Sequence, residues 1–248
     1  MKGTHNIKEQ LAANGFSIME NVFTPEEMNL MLQAIETVDS NKPSFRKTTD
    51  LFAIRQLLKE VPLLSTLVFN TNLNTVIASV FGEDYFLVKS IYFDKPAQSN
   101  WFVAYHQDLT ISVDRKLEIA GFGPWTVKQD QFAVQPPLDI LQSNFTIRIH
   151  LDDTDENNGA LKVIPGSHLK GIYRPETIDW SMETATTCNV PKGGIMIMKP
   201  LLLHASNRTT SHSKRRVIHL EFSNRSLVAP LQWSEKESLY ALQNHSLD

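Results

Sequence analysis

The sequence changes its hydrophobic period at Tyr85. Upstream, apolar residues recur at helical spacing; downstream they fall in short or alternating runs divided by turn residues. The helical part has readable punctuation. Ile7 to Ala13 ends at Asn14-Gly15, a C-cap pair. Thr24-Pro25-Glu26-Glu27 supplies an N-cap, a proline in the first turn and a carboxylate three residues after the cap. Met28, Met31, Leu32 and Ile35 then form a core-facing stripe. Phe52 to Lys59 and Leu63 to Phe81 predict two further helices, the latter closed by Gly82, and Phe16 to Met19 alternates as a brief strand. The later strands are expected at 86–88, 91–93, 101–113, 145–151, 161–164, 195–203 and 217–222. Strands at this spacing predict a β-sandwich or barrel, with the helices packed outside it. No repeat, low-complexity tract or linker divides the chain, so one domain is expected over 1–248: mainly helical support to 84, a β core over 85–225 and an extension over 226–248.

Charge excludes some function classes. The 24 basic and 27 acidic side chains leave −3, which gives no basis for binding nucleic acid or an anionic membrane. The start lacks the apolar core of a signal peptide, and the most apolar run, 195–203, is short and contains Lys199. One cysteine, Cys188, rules out an internal disulfide and suits a cytoplasmic location; its polar neighbours argue against a nucleophile. A long connection between Ser112 and Pro137 carries Phe122, Trp125 and Phe132. Two readings stay open there, a segment folding over a small substrate and a surface excursion anchored by aromatics.

Chemistry concentrates in Tyr105-His106-Gln107-Asp108. An imidazole and a carboxylate two residues apart in an extended run share a face. Such a pair can give one metal ion two ligands, and a third ligand from elsewhere would complete the two-histidine, one-carboxylate set of non-haem Fe(II). His204 stands where the apolar run 195–203 ends, pointing from a rigid strand toward a cleft. Eleven residues later Arg215-Arg216 opens another strand, where a guanidinium could hold a carboxylate by two parallel bonds.

These stretches, together with Asp94-Lys95-Pro96 and the run from Asn157-Asn158-Gly159-Ala160-Leu161 to Pro165-Gly166-Ser167-His168, resemble the phytanoyl-CoA dioxygenase family of Fe(II)/2-oxoglutarate-dependent oxygenases over nearly the whole length. The resemblance implies a double-stranded β-helix, the jelly roll or cupin-like barrel, in a mainly β, α+β chain. It implies His106, Asp108 and His204 as iron ligands, Arg215 with Ser206 as the site for the distal carboxylate of 2-oxoglutarate, and O2 as second cosubstrate. Related halogenases replace the carboxylate ligand with Ala or Gly; Asp108 is kept here, which favours hydroxylation. The expected function is hydroxylation of an aliphatic carbon of a small, carboxylate-bearing molecule. Desaturation, cyclisation or epoxidation at the same site is the alternative, as is a non-oxygenase cupin-like isomerase or binding module.

Strand parity refines the set. Arg216 shares a face with Ile218, Leu220 and Phe222, whereas Arg215 shares one with Val217 and His219, so Arg215 is expected inside the barrel. Thr146, Arg148 and His150 form one face of their strand, and Ile147, Ile149 and Leu151 the other. Arg148 is read as a substrate anchor or as a structural ion pair with Asp152 or Asp153; Gln107 and Trp125 are further candidates for touching substrate. Lys95 is read as facing the site entrance or, in preference, as a salt-bridged turn lysine; His168 is expected in a turn bonded to backbone, and the acidic run 152–156 in a solvated turn. His5, His212 and His245 receive no role.

Overall fold

The structure, a computed structural model, describes residues 2–38, 44–50, 52–128 and 131–243. The helices in chain order are α1 (Lys2–Asn14), α2 (Pro25–Glu36), α3 (Leu57–Glu60), α4 (Leu63–Val68), α5 (Thr71–Phe81), α6 (Leu138–Ser143) and α7 (Leu239–Gln243). The strands are β1 (Phe16–Met19), β2 (Phe45–Lys47), β3 (Phe52–Arg55), β4 (Phe86–Lys95), β5 (Val103–His106), β6 (Ile111–Val113), β7 (Trp125–Lys128) and β8 (Gln131–Val134). They continue with β9 (Phe145–His150), β10 (Leu161–Val163), β11 (Thr186–Cys188), β12 (Ile195–Met198), β13 (His204–Ser206), β14 (Arg215–Ser223) and β15 (Glu237–Ser238).

An eight-stranded sheet runs β1-β12-β9-β14-β4-β3-β2, with β15 added to β4. A four-stranded sheet, β11-β10-β13-β5, faces it as the second half of the jelly roll, and β6-β8-β7 form a third. The pairings are antiparallel. This architecture follows from alternation. Ile147, Ile149 and Leu151 of the β9 segment, Ile195 and Ile197 of β12, and Ile218, Leu220 and Phe222 of β14 point outward. There they meet Ile7 and Leu11 of α1, Met28 and Met31 of α2, and Leu73 and Ile77 of α5 in one buried cluster. Each such aliphatic side chain, fully withdrawn from water, contributes about 1.5–3 kcal/mol. Their alternates point between the sheets, where Met196 and Met198 pack on Leu161, Val163 and Leu202. The face left to Arg148, His150, Arg215 and His219 is therefore the interior of the roll.

Capping is as expected at α2: Thr24 Oγ accepts from Glu27 N at 3.2 Å and a Glu27 carboxylate oxygen accepts from Thr24 N at 2.7 Å. Three expectations fail locally. Residues 52–55 are strand, not helix, because Gln56 takes a left-handed φ of 52° that ends β3 and starts α3 separately. The helix over 63–81 is two helices, since Asn70 N-caps α5 by accepting from Leu73 N at 2.9 Å. The connection over 112–137 contains β7 and β8; β8 pairs with β6 in Ile111–Val134 register and with β7 in Trp125–Val134 register. Beyond the jelly roll, Leu231 and Trp233 bury against this third sheet. The side chain of His5 and all of His245 lie outside the described residues.

Candidate metal centre

His106 closes β5 and His204 opens β13, and the two are direct cross-strand partners. Their ring centroids lie 4.3 Å apart. A register shift between His204 and Ser206 interrupts the ladder here, the kind of irregularity that re-aims side chains beside functional sites. Asp108 completes the group: its carboxylate oxygens lie 3.8 Å from His106 Nε2 and 3.9 Å from His204 Nε2. One ligand atom from each of the three residues lies within 4.8 Å of the others.

Strand parity is not what brings Asp108 in. β5 ends at His106, and Asp108 sits in the connection to β6 with its N–H donating to Pro200 O at 2.9 Å. Gln107 fixes that turn. Its amide nitrogen donates to Gly171 O at 2.8 Å and Leu201 O at 2.6 Å, and its oxygen accepts from Tyr173 N at 2.8 Å. The side chain expected to touch substrate is thus spent on three backbone groups and anchors the loop that carries the carboxylate.

Hydrogen bonding assigns the imidazole tautomers. His106 Nδ1 lies 2.9 Å from Ala104 O and His204 Nδ1 lies 2.9 Å from Leu202 O. A carbonyl only accepts, so each Nδ1 carries the proton and each Nε2 turns a lone pair to the shared centre. Burial, reinforced by His106 and Arg148 against the pull of Asp108, lowers the His204 pKa to about 4. Burial pushes Asp108 up, but His204, His219, His106 and Lys89 outweigh it and hold the acid below its usual range. Two neutral imidazoles and one carboxylate are the donor set suited to Fe(II) with open positions.

Next to the triad lies an interior rich in cations. Arg215, at the head of β14, is buried and donates through Nη1 to Gly159 O and, at 3.4 Å, to Ser206 Oγ; Ser206 Oγ itself donates to Gly159 O at 2.9 Å. Arg215 Nε is buried without a partner. Lys95, its cross-strand neighbour on β4, has no exposed surface and is not in the ion pair expected of it. Its Nζ donates to Asn207 O and lies 5.6 Å from the Trp101 ring centroid. Burial, then the charge of Arg215, lowers Lys95 to about 7; burial, then Arg148, lowers Arg215 to about 9. Neither cation has a carboxylate partner among the described residues. An anionic cosubstrate fits such a place, since unpaired buried charges cost several kcal/mol each.

Arg148 faces the same interior, with Nη1 3.2 Å from His219 Nδ1 and an orphaned Nε. Since the guanidinium can only donate, His219 must present Nε2–H to Glu221, 3.0 Å away, which also holds Lys89 at 2.8 Å. The expected partner Asp152 instead takes Arg216 at 2.7 and 2.9 Å. Sequence reasoning ranked the inward place of Lys95 second and missed the His219–Glu221–Lys89 chain; the inward parity of β4 and β14 was the available signal. Trp125 is not brought to the triad and packs against the cluster of Ile111, Val134 and Trp233. His150 stays apart, its Nδ1 on Thr154 Oγ at 2.8 Å; His168 meets the Ala12 carbonyl at 3.2 Å, a backbone bond as expected, but from a short 3-10 helix over Ser167–Lys170 rather than a turn. Cys188 is buried with its thiol pushed up to about 12, an unreactive form.

A jelly roll with two imidazoles and a carboxylate converging at its mouth, beside a buried guanidinium, defines the class of non-haem iron, 2-oxoglutarate-dependent oxygenases. Residues 11–217 match the family model described as phytanoyl-CoA dioxygenase (PhyH), and the chain belongs to that family. No curated protein sequence matches it. Among solved structures it is similar to the non-heme alpha ketoglutarate dependent carbocyclase SnoK from nogalamycin biosynthesis, with 15% identity, 88% of this chain and 83% of that one covered, and a TM-score of 0.64. The epimerase SnoN from the same biosynthesis aligns at 13% identity over 94% and 86%, with a TM-score of 0.67. EctD from S. alaskensis with 2-oxoglutarate and 5-hydroxyectoine aligns at 16% over 87% and 74%, with a TM-score of 0.65. No described helix is long and apolar enough to cross a membrane.

Proposed function

We propose that this chain hydroxylates an aliphatic carbon of a small, carboxylate-bearing molecule, with His106, Asp108 and His204 holding Fe(II). Arg215, Ser206 and Lys95 would receive the distal carboxylate of 2-oxoglutarate. One observation carries the reading: a convergent His-Asp-His group adjoins two buried cations that have no carboxylate among the described residues. Bound iron, with 2-oxoglutarate and O2, supplies an oxidant able to remove hydrogen from an unactivated carbon. The residues supply placement. The Nδ1–H bonds to Ala104 O and Leu202 O hold both rings in a ligating orientation, and Gln107 with Pro200 O fixes the Asp108 loop. Arg215 and Lys95 orient the cosubstrate by its far end, and Arg148 adds positive charge to the same interior. The apolar packing of Met196, Met198 and Leu202 keeps water from the floor of the roll.

Succinate release from 2-oxoglutarate in air, screened with a metabolite panel, tests the reading. Iron-loaded protein should release succinate, and R215A should raise the KM for 2-oxoglutarate at least tenfold while iron uptake persists. Folded, iron-loaded protein that releases none would contradict it. Product analysis separates hydroxylation from ring closure and epimerisation, the reactions named for two of the similar structures.

A further inference from the structure

A cavity of about 460 Å³ opens between β3, β4 and the three-stranded sheet, within the size range of small-molecule sites. It adjoins the triad: Thr110, on its wall, lies two residues beyond Asp108, and Lys89, also on its wall, acts electrostatically on Asp108. Four charged side chains line it, and three already have partners. Asp114 accepts from Gln232 N at 2.9 Å and from Arg115 at 2.6 Å. Glu235 accepts from Ser90 N at 3.2 Å and Ser90 Oγ at 2.6 Å, and Lys89 donates to Glu221 at 2.8 Å.

Arg55 is the exception. Alternation along β3 sends Ile54 to the helix-covered core and turns Arg55, cross-strand from Ile91, to the inner face. There it lines the cavity half-buried, and its guanidinium has no acidic partner among the described residues. Burial and then the nearby Arg46 lower its pKa, the direction expected of a cation lacking an anion. The apolar surface from Ile91, Val113 and Phe132 gives an aliphatic body somewhere to lie.

We infer that this cavity takes the primary substrate and that Arg55 binds the substrate's carboxylate. The inference rests on the oxygenase reading above and names the group by which that site selects its substrate. A panel of short monocarboxylic acids, each beside its uncharged amide, is assayed for stimulated succinate release by the iron-loaded enzyme. Acids should stimulate and amides should not. For the best acid, R55Q should raise the apparent KM tenfold or more with the KM for 2-oxoglutarate unchanged, and R55K should recover part of the loss. T126W, which fills the cavity from an exposed strand position, should block the acid without altering cosubstrate binding. It keeps the test decisive should R55Q fold poorly. The inference is overturned if amides serve as well as acids, if R55Q leaves the acid KM unchanged, if T126W leaves acid stimulation intact, or if no acid stimulates. Absence of all 2-oxoglutarate turnover overturns the oxygenase reading and this one with it; turnover without acid preference overturns this one alone.

Discussion

At Lys95 a primary amine with no exposed surface sits beside the Asn207 carbonyl and the Trp101 ring. Burial and Arg215 bring its pKa to about 7, so near neutrality it is partly uncharged. A bound carboxylate favours the ammonium, and 2-oxoglutarate binding should therefore take up a proton above pH 7. Its affinity is expected to weaken above that pH by up to about tenfold per unit, and K95M should flatten the profile. A wild-type affinity constant from pH 7 to 9 would contradict this. The same depression bears on stability. Between about 7 and the ordinary lysine value of 10.5 the unfolded chain holds the proton that folded Lys95 has lost, so this residue makes the unliganded protein more stable as pH rises through that window. Gly159 is the second sensitive position. It has φ of 88°, and a Cβ there would lie 2.7 Å from Lys95 Nζ and 3.3 Å from Ser206 Oγ. G159A should cost about 1–2 kcal/mol by denaturant titration, from the left-handed backbone alone, and weaken 2-oxoglutarate further by crowding the cations. An unchanged cosubstrate affinity would show that the Lys95–Arg215 corner is not where it binds.

Among the elements, α2 depends on its first turn. Removing the Thr24 hydroxyl frees Glu27 N, so T24A should lower stability by about 1 kcal/mol in a thermal melt. Iron uptake should not change, because α2 packs on the sheet face opposite the triad; a loss of uptake would contradict that separation. This cap was legible because Thr24, Pro25 and Glu27 are a local pattern. The sheets' inward and outward faces were legible for the same reason, from period two in 145–151 and 217–222. What was not legible depends on single backbone angles or distant partners. Ile54, Leu57 and Leu58 satisfy helical spacing, yet the left-handed Gln56 splits them into a strand and a helix. β7 and β8 are short and exist by pairing with each other and with β6, which no local pattern announces. His106 and Asp108 were found through strand parity, although the geometry that joins them is a loop held by Gln107. For Lys95 the salt-bridged turn was preferred over a place facing the site, because only the tertiary fold shows it buried beside Arg215.

Across the whole molecule, the helices back the outer face of the eight-stranded sheet, and the chemistry lies on its other side, between that sheet and the four-stranded one that carries His106 and His204. Helices and outward aliphatics supply most of the apolar burial, which leaves the inward face free to hold histidines, cations and orphaned donors that do not help folding. The pieces are tied together by linkage: groups strained for want of an anion gain when it arrives. Fe(II) with 2-oxoglutarate at a hundredfold excess over its dissociation constant should therefore stabilise the fold by about 2.7 kcal/mol, seen as a raised melting midpoint. The most direct test of the central claim, that His106, Asp108 and His204 hold iron beside a 2-oxoglutarate site at Arg215, is anaerobic visible absorption. Wild-type protein given Fe(II) and then 2-oxoglutarate should develop a weak charge-transfer band. H204A should lose both iron and band, while R215A should keep iron and need far more 2-oxoglutarate to reach the same band. No band from folded, iron-loaded wild-type protein, or equal loss of iron in both variants, would contradict the account.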